Sequence, residues 1–275
     1  MLARMSELWD SVAGAWERYA ELVDVQLTSA TEAMLDAAQI GPGKSVLDVA
    51  AGPGGAGLAA AARVGESGRV VLTDVAPAMV DAAGRRSAAL PQVSTLVCDE
   101  VRLEAADETF DAVVCRHGLM FAPEPATAVR EARRVLRDDG RYVAMTWDVR
   151  AANPWLGLIL DAVGGQFGVP FPPPGVPGPF SLGDPALLTE ALRSGGLLDV
   201  EVVRVATPMR TASLESWWEL VPQLAGPLAI ALAGMEDEVR DEIRVRALEY
   251  GSAAAEPGDD GIEMAGSVLI ASGRR

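Results

Sequence analysis

The 275-residue sequence contains one histidine and two cysteines, and this shortage limits the chemistry that it can support. Cys98 and Cys115 lie 17 positions apart in apolar runs, which gives neither a disulfide framework nor a CxxC metal pair. Because His117 is the only histidine, a zinc site with the usual Cys and His ligands is not expected, and no metal is predicted. The cysteine content is typical of a protein in the reducing cytoplasm, which is the predicted location.

Basic charge is also scarce, since 23 Lys and Arg residues stand against 39 Asp and Glu residues and the formal net charge is -16. Affinity for nucleic acids and for anionic membranes comes from clustered basic residues, so neither partner is expected. The longest apolar run, 224–235, has about a dozen residues, whereas a membrane-spanning helix needs roughly 20. Glu7 and Asp10 interrupt the N-terminal segment, which argues against a secretory signal.

From residue 41 onward, short apolar segments alternate with segments of helical periodicity. This alternation is typical of right-handed βαβ units, so the predicted fold class is α/β with a doubly wound, mostly parallel sheet. The predicted strands are 46–49, 69–74, 94–99, 110–115, 141–147 and 200–207. The segment SVLIASG near the end of the sequence is predicted to close the sheet as an antiparallel strand.

Helical patterns flank and interrupt this alternating region. The sequence predicts helices at about 5–23, 26–39, 54–64, 77 onward, 125–136, 184–196 and 213–250. Six prolines at 169–180 preclude a helix or a central strand there and indicate a loop or lid. We therefore divide one catalytic unit into an N-terminal helical lid (1–40), a cofactor-binding core (41–150) and a remainder (151–275) with a loop at 168–180 and a helical cap at about 211–256.

The segment VLDVAAGPGGAG, at 46–57, is an apolar strand that ends in a glycine-rich turn. Gly52 to Gly57 match the GxGxxG spacing of a dinucleotide-binding loop, in which a helix N-terminus binds a pyrophosphate. S-adenosylmethionine instead carries an ammonium group and a ribose, so its loop is expected to have an acid near the strand end. Asp48 lies at that position, where a dinucleotide fold usually has an apolar residue.

Two further acids follow the next strands. Asp74 comes 22 residues after Gly52, where a carboxylate can accept hydrogen bonds from both ribose hydroxyls, and Asp99 is suited to accept from an adenine amino group. Each acid alone is equally typical of a capping or turn carboxylate. Three of them at successive strand ends beside a glycine loop favour S-adenosylmethionine over NAD(P).

These segments, together with VVLTDVAPAMVDAA, VCDE and FDAVVCRHGLMFAPEPATAVREARRVLRDDGRYVAMTW, resemble the class I S-adenosylmethionine-dependent methyltransferases. The resemblance is strongest to the bacterial branch that includes the ubiquinone and menaquinone biosynthesis C-methyltransferases, and it covers about 41–150. It implies a Rossmann-like, seven-stranded sheet with the last strand antiparallel, N-terminal helices, a helical cap, and S-adenosylhomocysteine as a product.

The resemblance also implies a set of cofactor-binding residues. Asp48, Ala50, Gly52 and Gly54 are expected around the methionine part of the cofactor, and Asp74 on the ribose. Ala76 to Met79 are expected to line the adenine pocket, with Asp99 and Glu100 at its edge. The complete predicted set is Tyr19, Asp48, Ala50, Gly52, Gly54, Asp74, Val75, Met79, Asp99, Glu100 and Cys115. The sequence departs from the family at Ala50, which replaces a glycine, and at Glu100, which replaces a small residue.

His117 and Arg116 are the candidate catalytic residues, because they follow a predicted strand at the sheet edge where ligands bind in open α/β folds. His117, with a near-neutral pKa, is expected to accept a proton from the methyl acceptor, while Arg116 stabilises the developing anion. The alternatives are that His117 only packs and that Arg116 pairs with an acid such as Glu124 or Asp111. Tyr19, with Trp16, is expected either to close over the cofactor or simply to pack its helix.

The predicted function is methyl transfer to oxygen or carbon of a small, hydrophobic or aromatic metabolite, with secondary metabolism as its setting. The aromatic residues of the cap and loop favour such an acceptor. Three alternatives stay open: a cyclase or isomerase that binds S-adenosylmethionine without transferring its methyl group, a non-catalytic binding subunit, and an NAD(P)-dependent oxidoreductase. The sequence leaves the oligomeric state open, a homo-oligomer included.

Overall fold

The computed structural model describes residues 2–275, with side chains described from residue 5 onward. Its helices are α1 (Leu2–Arg18), α2 (Ala20–Gln26), α3 (Thr28–Ala37), α4 (Gly55–Val64), α5 (Pro77–Ser87), α6 (Pro125–Val135), α7 (Pro154–Phe167), α8 (Pro185–Ser194), α9 (Leu214–Leu224), α10 (Gly226–Ala233) and α11 (Asp237–Ala254). Its strands are β1 (Ser45–Val49), β2 (Arg69–Asp74), β3 (Val93–Val97), β4 (Phe110–Arg116), β5 (Leu136–Trp147), β6 (Leu198–Ala206), β7 (Met209–Thr211), β8 (Glu256–Gly258), β9 (Gly261–Met264) and β10 (Ser267–Arg274).

Seven strands form the main sheet in the order β3-β2-β1-β4-β5-β10-β6. The pairs β1–β2, β1–β4, β2–β3 and β4–β5 are parallel, whereas β10 is antiparallel to both β5 and β6. The predicted fold class, with its antiparallel last strand, is therefore confirmed. Successive strands are added outward from β1 on one side and then outward from β4 on the other, and the loops at this switch point between β1 and β4 are where ligands bind in open α/β sheets.

Both faces of the sheet are covered, which explains why the inner strands have continuous apolar sequences. Val46 packs towards α3 and α4, whereas its neighbour Leu47 packs towards α6 and α8. A third apolar cluster lies in the cap, which is built from α7, α9, α10 and α11. Trp147, at the end of β5, packs against all three clusters and so joins the cap to the sheet.

Several elements differ from the sequence-based prediction. The first predicted helix is interrupted at Tyr19, so that three helices precede the sheet instead of two. The helical segment predicted at 213–250 is three helices, because Ala225 leaves the helical conformation before α10 begins at Gly226 and a second break precedes α11 at Asp237. Strand β5 starts at Leu136, five residues before the predicted start, with an irregularity opposite Phe110 and Ala112.

A second, three-stranded antiparallel sheet, in the order β7-β9-β8, has no counterpart in the prediction. Its strands have only three or four residues each, too short for a visible alternation of apolar and polar side chains. Within residues 2–275, no helix combines the length and the apolar character that crossing a membrane requires.

Candidate cofactor and acceptor site

The glycine-rich loop after β1 is held in a backbone conformation that side chains other than glycine rarely adopt. Gly52 and Gly54 have positive φ angles of 54° and 91°, and Ala50 has a φ of 54°. Ala50 occupies the position of the family's first glycine, and its backbone is left-handed although it is an alanine. Gly54 packs on Leu72, whereas no heavy atom of the described chain lies within 4 Å of a Cβ built on Gly52. Gly52 therefore faces open space, as a loop that cradles a ligand should.

Asp48 is fully buried in β1, beneath this loop. Among the described residues, neither of its carboxylate oxygens has a hydrogen-bond partner. A Cβ on Gly57 would lie 2.9 Å from Asp48 Oδ2, so only glycine fits at this point of α4. Burial raises the pKa of Asp48 to about 7, although the nearby Arg116 charge opposes the shift. A buried carboxylate whose oxygens have no hydrogen-bond partner is costly, which makes Asp48 a candidate for binding a ligand that brings donors.

Asp74, at the end of β2, joins that strand to the glycine loop. It accepts hydrogen bonds from the backbone N–H of Gly52 at 2.9 Å and of Ala76 at 3.0 Å. Burial raises its pKa, and these two backbone donors oppose the increase. Val75, the next residue, is half-buried. The structure thus brings Asp74, Val75 and the glycine loop together.

Asp99 and Glu100 follow β3 on the same side of the site. Asp99 Oδ1 accepts from the Val101 N–H at 3.1 Å, which makes Asp99 a turn-capping residue. Glu100 Oε2 is buried and has no partner within the described part of the chain. Burial, followed by the charges of Asp99 and Asp74, raises the pKa of Glu100 to about 7. Cys115, in β4, is completely buried, and burial raises the pKa of its thiol.

The N-terminal helices cover the adjacent start of α5. Met79 is only 3% exposed and packs with Val12 and Ala13 of α1. Asp10 Oδ1 accepts from the Ala78 N–H at 2.8 Å. The Tyr19 hydroxyl accepts from Gln223 of α9 at 3.4 Å, so Tyr19 contacts the cap.

Arg116 is bound by the N-terminal helices. Its Nη2 donates to Asp24 Oδ1 at 2.9 Å and its Nη1 donates to Thr31 Oγ1 at 3.1 Å. The acid that pairs with Arg116 is therefore Asp24, and neither Glu124 nor Asp111. Sequence reasoning missed Asp24, since an ion pair between residues 92 positions apart leaves no local pattern. The guanidinium donates to Asp24 and Thr31 of the N-terminal helices.

His117 directly follows β4 with a left-handed φ of 64°, and its ring stacks on Trp147 with centroids 4.1 Å apart. Both ring nitrogens are buried and have no partner among the residues that the structure describes. Burial and the neighbouring Arg116 charge lower the pKa of His117 to about 3. The expected near-neutral pKa is therefore wrong for the protein by itself, and the imidazole is neutral with one nitrogen free to accept a proton.

The polar groups of this site have more acceptors than donors. Asp48 and Glu100 lack donors, and Asp74 and Asp99 supply further oxygens. A ligand that brings an ammonium group, ribose hydroxyls and an adenine amino group supplies the missing donors, so the residues fit S-adenosylmethionine. A dinucleotide pyrophosphate would add negative charge to four carboxylates. No group of His, Cys, Asp and Glu side chains suited to a metal occurs within the described chain.

Comparisons with known proteins agree with this chemistry. A family model described as a methyltransferase domain matches residues 47–144. The ubiquinone/menaquinone biosynthesis C-methyltransferase UbiE of Paraburkholderia phymatum is 31% identical over 169 residues, which cover 56% of this chain and 70% of that protein. The alignments with two other curated relatives cover only 35% and 46% of their length.

Solved structures share the fold. The SpnF cyclase is 18% identical and aligns with a TM-score of 0.56 over 97% of this chain and 95% of its own. The geranyl diphosphate C-methyltransferase of Streptomyces coelicolor, solved with Mg2+, geranyl diphosphate and S-adenosyl-L-homocysteine, is 18% identical. Its TM-score is 0.52, over 90% of this chain and 79% of its own. At sequence identities this low, the likeness shows a shared fold and nothing beyond the fold.

Proposed function

Because the chain belongs to the class I S-adenosylmethionine-dependent methyltransferases, we propose that it methylates oxygen or carbon of a small, uncharged, hydrophobic or aromatic metabolite. The observation that carries this proposal is the environment of His117. The ring is buried at the sheet edge with both nitrogens unpartnered among the described residues, close to the glycine loop that would hold the cofactor. Gly118, the next residue, packs directly against Ala50 of that loop.

S-adenosylmethionine, when bound, supplies a methyl group activated by a positively charged sulfur. Asp74 would hold the ribose hydroxyls, and Asp99 with Glu100 would hold the adenine edge. Asp48 would place a negative charge beneath the methionine part of the cofactor. These carboxylates favour a cationic ligand, and Met79 and α1 would exclude water from its adenosine end.

His117 would act on the acceptor. A neutral imidazole with an unpartnered nitrogen can take the proton of a hydroxyl or of an acidic carbon as the methyl group is transferred. Because a base with a pKa of about 3 is weak, this role requires that the negative charge developing on the acceptor raise the pKa of His117. The Trp147 ring holds one face of the imidazole and so fixes its orientation. Orientation supplies much of the rate enhancement in a displacement of this kind.

The acceptor class follows from the surroundings of His117. Trp147 stacks on the imidazole, and Trp155 meets Trp147 edge to face with centroids 4.9 Å apart. The charge that acts on His117 is that of Arg116, whose guanidinium is already bound to Asp24. The aromatic wall beside the imidazole favours an uncharged planar acceptor.

The test combines binding with turnover. Calorimetric titration is expected to show binding of S-adenosylhomocysteine and none of NAD or NADP. Incubation with methyl-labelled S-adenosylmethionine and a panel of phenols, quinols and enolisable ketones is expected to yield S-adenosylhomocysteine and a labelled product. Binding of NAD alone would refute the cofactor assignment. Rearrangement of an acceptor without S-adenosylhomocysteine formation would replace the transferase by a cofactor-dependent cyclase or isomerase.

A further inference from the structure

Asp24 of α2 binds two arginines from different parts of the chain. Its Oδ1 accepts from Arg116 Nη2 at 2.9 Å and its Oδ2 accepts from Arg86 Nη2 at 2.7 Å. The Arg116 side chain is 9% exposed, so this pair is largely withdrawn from water. Charge-assisted hydrogen bonds in such surroundings are among the stronger ones in proteins. We call Asp24, Arg86 and Arg116 the arginine cluster.

The arginine cluster lies directly on the glycine loop. Arg86 Nη1 donates to the carbonyl oxygen of Pro53 at 2.7 Å. A Cβ on Gly55 would collide with Asp24 Oδ1 and with Arg116 Nη2. Position 55 is therefore glycine because any side chain would displace the arginine cluster, whereas Gly52 faces open space. The cluster therefore borders the loop at the first residue of α4.

The charges of the cluster do not cancel. Two guanidinium groups and one carboxylate leave a single net positive charge beside the loop. Asp48, on which the Arg116 charge acts, has no hydrogen-bond partner among the described residues. The methionine part of S-adenosylmethionine has the complementary arrangement, because it carries a carboxylate and an ammonium group on the same carbon.

We propose that Asp24 is a positioning residue for cofactor binding, which holds Arg116 and Arg86 against the glycine loop so that their net positive charge receives the carboxylate of the cofactor's methionine part. This inference rests on the proposed function. Asp24 acts through the two arginines and does not itself touch the cofactor. Without its carboxylate, the two guanidinium groups repel each other and the cluster opens.

Two ligands that differ in the methionine part test this assignment. S-adenosylhomocysteine carries the amino acid group, whereas 5′-methylthioadenosine keeps the adenosine and the sulfur but lacks it. In calorimetric titrations, Asp24→Asn is expected to weaken binding of S-adenosylhomocysteine by about tenfold and binding of 5′-methylthioadenosine by less than about twofold. Thr31→Val, which removes one bond to Arg116 without changing the charge, should cause a smaller loss with the same selectivity.

Glu17→Gln is the matched control, because Glu17 of α1 forms a two-bonded ion pair with Arg85, the neighbour of Arg86. This change loosens the same helices from α5 without entering the arginine cluster, so both affinities should stay as in the wild type. Equal weakening of both ligands by Asp24→Asn, or unchanged binding of both, would overturn the positioning role. If the wild-type protein bound neither ligand, the proposed function itself would fail, which is a separate outcome.

Discussion

Asp48 is fully buried and Glu100 is half-buried, and both Asp48 oxygens and Glu100 Oε2 are buried without a hydrogen-bond partner among the described residues. Both have a pKa of about 7 in the folded protein, against unfolded values near 4. The folded state therefore holds extra protons between these values. Protonation of these two carboxyls in the folded state stabilises it. This stabilisation is fully present below about pH 4 and is lost as the pH rises through about 7. The two residues reduce stability at neutral pH, and a cationic ligand reverses this effect.

We expect the affinity for S-adenosylhomocysteine to increase with pH, because the ligand's ammonium group favours the ionised form of Asp48 and its adenine amino group donates best to an ionised Glu100. Each pH unit below a pKa near 7 reduces affinity by up to tenfold per carboxyl that must ionise, so binding at about pH 6 should be at least tenfold weaker than at about pH 8. Titration in buffers of different ionisation enthalpy should detect proton release. Asp48→Asn should reduce the released protons, and an affinity independent of pH would contradict the assignment.

His117→Asn tests the proton-accepting role of the imidazole. Asparagine tolerates the left-handed backbone at this position, so the variant should fold while losing the ring nitrogens. We expect kcat to fall by roughly 10²- to 10⁴-fold, with little change in the affinity for S-adenosylhomocysteine. Steady-state kinetics with a saturating acceptor measures the change. An unchanged kcat would restrict His117 to packing against Trp147.

At the scale of elements, α1 supplies a cap to another helix. The Asp10 carboxylate accepts from Ala78 N–H in the first turn of α5, where a helix lacks internal acceptors. Asp10→Ala is expected to cost about 1 kcal/mol of local stability and to speed amide exchange in the first turn of α5. Hydrogen exchange read by mass spectrometry measures this effect. Ser11→Ala is the control, because its exposed hydroxyl bonds only within α1, and equal exchange in both variants would contradict the capping role.

Some elements could be predicted from local sequence signals, and others could not. Prolines at the first position of α5 and α6 and the apolar runs of β1 and β4 gave correct positions, because these signals are local. The breaks at Tyr19 and Ala225 and the small sheet depend on tertiary packing and were missed. Within the site, the positions of Asp48 and Asp74 at strand ends followed from periodicity. The partners of Arg116 and the low pKa of His117 arise from long-range contacts and burial, which no local pattern encodes.

At the scale of the whole molecule, the cap depends on one tryptophan. Trp217 is fully buried among α7, α9 and α11, and its indole N–H donates to the carbonyl oxygen of Trp155 at 2.6 Å. Trp217→Ala is expected to destabilise the protein by about 3–5 kcal/mol through the cavity and the lost bond. Urea denaturation measures this change. Val245→Ala, at a position 62% exposed on α11, should change stability by less than about 0.5 kcal/mol. Similar losses in both variants would contradict the central role of Trp217.

The position of β10 between β5 and β6 has a consequence for biosynthesis. On the ribosome, β6 is completed 60 residues before β10 begins, yet in the finished sheet β6 pairs with β10 and with no other strand of the described chain. The apolar residues Val200, Val202 and Val205 therefore emerge without a partner strand while residues 207–266 are still being translated. Unpaired apolar strands are prone to aggregation. This nascent chain therefore reaches its final sheet only after synthesis of residues 267–274.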